Sequence, residues 1–342
     1  MDVFVCAGCD AALTVPVARV ALPVHAHHSS WHELLPPLME PGTYAVDPGP
    51  SGVPWRRYDE VGEAGAAARG VYAPVYLLSF GAPGRIVLAP GDSRGLVLIP
   101  ECCEGYCLGL DGGGGPNLAC ERCGRAVATR LDDCSLWQAV WLEPDAVRRL
   151  STGGPAPEPS APATPPIDPA GGWDRRWTAA VGAAPAHLVV ASEGEPVAFP
   201  DGLLAELFGR AAAVIFPPGP APKSVGLAGP GRTCDADIAL VPRHPRTGEP
   251  WQPPAPVPTV PLATDVWAYL ADPEEISPFP ASGTLPDGVL RDDYPLPPHP
   301  GYAFHPDRQV FMHTLARLPA VRRPRVREIY DRLWAGPNPV LW

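Results

Sequence analysis

Two short cysteine hooks about 110 residues apart, Cys6-Ala7-Gly8-Cys9 and Cys120-Glu121-Arg122-Cys123, constrain this chain more than any other feature. Together they offer four thiolates to one tetrahedral metal. A metal held by both would force the start of the chain to lie beside a segment beyond residue 120.

The likeness of the hooks runs past their cysteines. Cys9 is followed by Asp10-Ala11-Ala12-Leu13 and Cys123 by Gly124-Arg125-Ala126-Val127, so a turn-forming residue and then Ala and an aliphatic recur at equal offsets. This knuckle-like pattern resembles the zinc-ribbon class of sites. The resemblance covers two stretches of about eight residues and implies a tight turn whose amides face sulfur, followed by a strand. Compact ribbons lack the long insertion present here. It implies a structural Zn2+ held by Cys6, Cys9, Cys120 and Cys123, because a closed four-thiolate set leaves no position for water or substrate. Iron in a rubredoxin-like site uses the same ligands and is the lesser expectation. Buried, reduced core thiols are the alternative without metal.

Five cysteines remain, Cys102, Cys103, Cys107, Cys134 and Cys234, an odd complement that does not read as a secreted disulfide framework. Cys102, Cys107 and Cys134 are a candidate second metal or redox cluster, or a packed loop. With no secretory segment evident and no apolar run near the ~20 residues needed to span a bilayer, a cytoplasmic protein is expected.

The 342 residues, 46% of them hydrophobic, suffice for two domains and a sizeable core. Fifty prolines and 35 glycines, interleaved with apolar residues, read as rigid connecting loops. The net charge of −11 disfavours nonspecific attachment to nucleic acid or an anionic membrane. Ser151–Ala170, with seven prolines and no aromatic residue, reads as a semi-stiff linker. The expected fold class is therefore α+β. A β-rich zinc-ribbon-containing domain occupies 1–150, the linker 151–170, and a mixed α/β domain 171–342.

In the first part, β-like runs cover Val15–Pro23, Thr43–Val46, Val71–Phe80, Arg85–Ala89, Gly95–Ile99, Arg125–Leu131 and Leu136–Leu142, with a short helix over Pro144–Leu150. In the second, His187–Ser192 and Ala213–Phe216 read as strands flanking a helix capped by Asp201. Ile238–Val241 reads as a third strand. Helices are expected from Thr264 or Asp265 through Leu270 and from Pro324 to Trp334, the latter with an apolar stripe of Val326, Ile329, Tyr330, Leu333 and Trp334.

Four further constellations point towards chemistry. His25-Ala26-His27-His28-Ser29-Ser30-Trp31-His32 follows an apolar run, and two imidazoles spaced as HxH can ligate a metal from one side of a strand. The run is similar to the HxHxDH motif of metallo-β-lactamase-like hydrolases, except that Ser29 and Ser30 replace its Asp and last His. A hydrolytic metal on His25, His27 and His32 is one expectation, and a polar loop the other. Lys223–Arg232 is a glycine-rich loop with flanking cations, suited to phosphate or to nothing more than a turn. Cys234 beside Asp235 and Asp237 would need a base to act as a nucleophile. Seven arginines against Glu328 and Asp331 between Arg308 and Arg332 suggest a nucleic-acid or acidic-partner surface, or the solvated face of a helix.

The expected role is protein interaction or scaffolding through an unidentified protein partner. The alternatives are a metal-dependent hydrolase and a nucleic-acid-binding module.

Overall fold

The computed structural model describes residues 1–27, 33–49, 52–105, 107–153, 166–168, 171–220, 222–272 and 303–336. The chain mixes helices and strands and forms two compact units, each assembled from separate stretches. The first comprises Met1–Ser160, His244–Gly248 and Met312–Arg322; the second comprises Ala161–Arg243, Glu249–Phe311 and Arg323–Trp342.

The first unit carries β1 (Asp2–Cys6), β2 (Ala18–Arg19), β3 (Thr43–Val46), β4 (Trp55–Arg57), α1 (Tyr58–Ala67), β5 (Leu77–Ser79), β6 (Ile86–Leu88), β7 (Leu96–Leu98), β8 (Leu118–Cys120), β9 (Ala126–Leu131), β10 (Ala139–Leu142) and β11 (Val147–Ser151). Seven of these strands form one sheet in the order β2-β3-β6-β10-β9-β8-β7. Only β2 and β3 pair in parallel. The central strands β6 and β10 are buried at every position, as expected of unbroken Ile-Val-Leu and Ala-Val-Trp-Leu runs that have cover on both faces. Leu13, Tyr44, Leu88, Val140 and Leu142 form the core of this unit, and Cys6 and Cys120 belong to the same cluster. Phe4 meets Tyr44 edge to face, with ring centroids 4.9 Å apart.

The segment 144–150 is not the expected helix. Its last four residues, 147–150, belong to β11 (Val147–Ser151), which pairs with β1 along the whole strand, from Cys6↔Val147 to Asp2↔Ser151. A seven-residue helix is marginal alone, whereas an available strand edge satisfies every second backbone group at once. Ser151 thus ends a strand, and most of the proposed linker 151–170 lies outside the described residues.

The second unit contains α2 (Arg175–Gly182), α3 (Ala184–Ala191), β12 (Val197–Ala198), α4 (Leu203–Ile215), β13 (Lys223–Leu227), β14 (Ile238–Pro242), β15 (Thr259–Leu262) and α5 (Thr264–Ala271). The four strands form an all-parallel sheet in sequence order. α6 (Arg308–Arg317) and α7 (Pro324–Ala335) follow. In α7 the residues Val326, Ile329, Tyr330 and Leu333 are buried, the stripe their spacing specifies.

Two expected strands are helical. His187–Ser192 lies in and just beyond α3, where Ala184, Pro185, Ala186, Leu188 and Val189 are all buried. A short apolar run fits a buried helix as well as a buried strand, and Pro185 in the first turn favours the helix. Ala213–Phe216 completes α4, whose N-cap is Gly202 rather than Asp201. The parallel sheet instead uses β12 and β13, and β13 arises from the segment read as a glycine-rich loop.

Candidate metal centre

The four hook cysteines converge. Their sulfur atoms all lie within 4.8 Å of one another, so the set could hold a metal ion. Cys6 Sγ is 3.6 Å from Cys123 Sγ, and Cys9 Sγ is 3.6 Å from Cys120 Sγ. A tetrahedron of Zn–S bonds ~2.3 Å long has S···S edges of ~3.8 Å, whereas a disulfide requires ~2.05 Å. The spacing therefore suits a shared cation and not a covalent pair.

Each hook builds its half by the same backbone bonds. The Cys6 amide donates to the Ala11 carbonyl at 2.9 Å and the Cys120 amide to the Arg125 carbonyl at 2.8 Å. Asp10 N–H donates back to the Cys6 carbonyl at 3.0 Å, as Gly124 N–H does to the Cys120 carbonyl at 2.8 Å. Asp10 (φ 61°) and Gly124 (φ 73°) both occupy the left-handed region, which reverses the chain into the next strand. The first cysteine of each hook is fully buried, while Cys9 is partly exposed and Cys123 exposed.

Amides also point at sulfur. Gly8 N–H donates to Cys6 Sγ at 3.4 Å. Burial raises the Cys120 thiol, but amides of Cys123 and Arg122 and hydrogen bonds from neighbouring thiols outweigh it and bring the group down to about 7. The Ala11 amide lowers Cys9, yet desolvation and the other three thiols push it up to about 12. Four thiols sharing so little space cannot all ionise unaided; a divalent cation removes that conflict by neutralising the thiolates it binds.

Of the second candidate set, the structure brings together Cys107 and Cys134 but not Cys102. The third member is Asp133, and the three ligand atoms lie within 4.8 Å of one another. Cys102 ends the short helical turn Pro100–Cys102 instead. Hydrogen bonding with Cys107 pushes the Cys134 thiol up to about 11, with burial and Asp133 adding to it. Sequence reasoning missed Asp133, although it immediately precedes Cys134.

The histidine loop divides. His25 is buried, its ring centroid 4.6 Å from that of Trp137. His27 Nε2 instead approaches Asp47 Oδ2 at 3.5 Å. His32 lies outside the described residues, and neither His25 nor His27 belongs to a group of three metal ligands among those described. Burial, reinforced by the Arg317 cation, lowers His27 to about 3. Burial raises Asp47 to about 6 against the pull of the Gly49 amide, Arg317 and Arg85. Arg317 Nε in turn donates to His313 Nδ1 at 3.3 Å. Although His27 and Asp47 are close enough for an ion pair, desolvating two charges outweighs their attraction, so His27 is neutral at pH 7. His313 and Arg317 are neighbours at i and i+4 on α6, but nothing local in the sequence links that pair to His27 or Asp47.

The glycine-rich segment has a packing explanation. A Cβ on Gly229 would stand 2.2 Å from the Trp267 ring, whose Nε1 donates to the Ala228 carbonyl at 2.9 Å. Glycine is needed there to admit an indole. Cys234 packs partly buried against the cluster of Ala228, Ala239 and Val241. Asp237 accepts from both the amide and the hydroxyl of Ser224, at 2.8 and 2.7 Å. The C-terminal arginines are similarly engaged: Arg325 with Glu195 at 2.7 Å, Arg327 with Asp331 at 2.8 Å, and Arg332 with the Val214 carbonyl at 3.0 Å.

No family model, curated protein or solved structure matches this chain. Among the described residues no helix is long and apolar enough to cross a membrane.

Proposed function

We propose that this chain is a cytoplasmic interaction scaffold whose β-rich unit is stapled by one structural Zn2+ on Cys6, Cys9, Cys120 and Cys123. The observation that carries the reading is the closed set of four thiols at tetrahedral spacing. It offers a strong clamp and no open coordination position for catalysis. Zinc is preferred to iron because it is the common occupant of four-cysteine ribbon sites. A reducing compartment keeps such thiols available for metal.

Support for an interaction role comes from β7. It is the outer strand of the seven-stranded sheet, with Val97 44% and Leu98 51% exposed. Its inner neighbour carries a metal ligand, since Leu96 pairs with Cys120 and Glu121 N–H donates to the Gly95 carbonyl at 2.9 Å. An exposed apolar edge beside a rigid centre suits a partner polypeptide that adds a strand.

Metal analysis of the purified chain should find zinc that survives gel filtration and is lost from Cys120→Ser. A photo-crosslinking residue at Val97 should yield a discrete adduct with another polypeptide in cells, while one at the exposed Glu63 of α1 should not. Absence of bound metal would overturn the staple. Equal crosslinking at both positions would overturn the scaffold surface.

A further inference from the structure

We infer that Cys107, Asp133 and Cys134 form a second metal centre, facing solvent, for a borderline divalent cation such as Zn2+. Two sulfurs and a carboxylate oxygen within 4.8 Å of one another supply three ligands of the types this ion accepts. The carboxylate is built into its place. Asp133 is 3% exposed, and its Oδ2 accepts amide hydrogens from Leu108 at 2.8 Å and Gly109 at 3.1 Å. Those two bonds fold the chain just after Cys107 around the acid and fix the approach of the thiol.

The other carboxylate oxygen distinguishes a cation site from a redox pair. Asp133 Oδ1 is buried without a hydrogen-bond partner, so its lost hydration is left uncompensated. A disulfide between Cys107 and Cys134 would join the sulfurs and leave Oδ1 as it is. A cation would use both thiolates and can draw on that oxygen as well.

This centre differs from the hook centre in one chemical respect. It has three protein ligands, and Cys107 is exposed, so a tetrahedral ion would keep its fourth position towards water. That position would accept water or a small anionic or imidazole donor, whereas the four-thiolate centre has none to offer.

The test uses the reduced full-length chain, stripped of metal and reloaded with Co2+. Parent protein should bind two ions per chain. Cys107→Ser should bind one, with the melting temperature supported by the hook centre retained. Asp133→Asn should weaken the second ion at least tenfold, since loss of an orienting or ligating carboxylate typically costs that much. Added imidazole should shift the visible bands of the second ion and leave those of the first unchanged. A parent that takes one Co2+ only, or a Cys107→Ser chain that still takes two, overturns the proposal. If Cys107→Ser loses both ions, Asp133→Asn decides: two ions at unchanged affinity would likewise overturn it.

Discussion

The hook centre and the His27–Asp47 cluster are both assembled from distant parts of the first unit, yet they handle charge in opposite ways. Around the hooks, amides converge on sulfur and the turns repeat almost bond for bond, so negative charge is invited at a place where a cation could match it. Around His27, burial keeps an imidazole neutral and raises an acid, so charge is resisted although Arg317 and Arg85 stand nearby. One arrangement gathers charge to gain a ligand; the other tolerates polar groups inside a core at some cost to the fold.

The largest consequence of this contrast is expected at the hooks. Structural zinc contributes roughly 10–16 kcal/mol of apparent binding energy, comparable to or above the 5–15 kcal/mol stability of a typical domain. Cys120→Ala should therefore abolish metal binding and cooperative melting of the first unit. Equal melting temperatures for variant and parent would break the comparison on its metal side.

The next effect is on pH dependence. With the folded-state value of His27 lowered to about 3, the unfolded chain binds more protons between about 3 and 6.5, so this group makes stability rise with pH over that window. With Asp47 raised to about 6 from 3.8, the folded chain binds more protons in between, and stability falls as pH rises. The two slopes oppose each other from about pH 4 to 6. Asp47→Asn should unmask the rising limb, and His27→Gln the falling one, by up to about 3 kcal/mol across the window. Denaturant titrations at several pH values would show this. Parallel pH profiles for the two variants would contradict opposed titration.

Smaller effects test the symmetry of the knuckles. Gly124 has φ 73° and open space around an added Cβ, so Gly124→Ala should cost about 1–2 kcal/mol from backbone strain alone. Asp10 already bears that strain at φ 61°, so Asp10→Gly should be stabilising or neutral by thermal melting. Smallest of all is Arg148→Ala, which removes an exposed ion pair with Asp10 and should shift stability by less than about 1 kcal/mol.

The hooks were legible in the sequence because a tight turn is a local object, with its residues at fixed offsets. β14 and α7 were legible for a similar reason: an unbroken aliphatic run and a helical stripe each report their surroundings directly. β11 was not, because its partner β1 lies at the other end of the unit and pairing overrode local preference. α3 was not, because a helix buried all round leaves no period to detect. Asp133 and Cys134 are neighbours, but their meeting with Cys107 rests on a loop fixed by amides. Asp47 and the α6 pair His313 and Arg317 reach His27 from two separate segments, and composition carries no trace of that.

The hydrogen-bonded strap of β1 against β11 sets an order of events during synthesis. Cys6 and Cys9 leave the ribosome first, while Cys120 and the Val147–Ser151 strand follow more than a hundred residues later. At roughly 5–20 residues per second, that is a wait of about 6–25 s. Throughout it the leading hook has only two thiolates to offer, so the nascent chain must stay reduced and unaggregated until the second hook emerges.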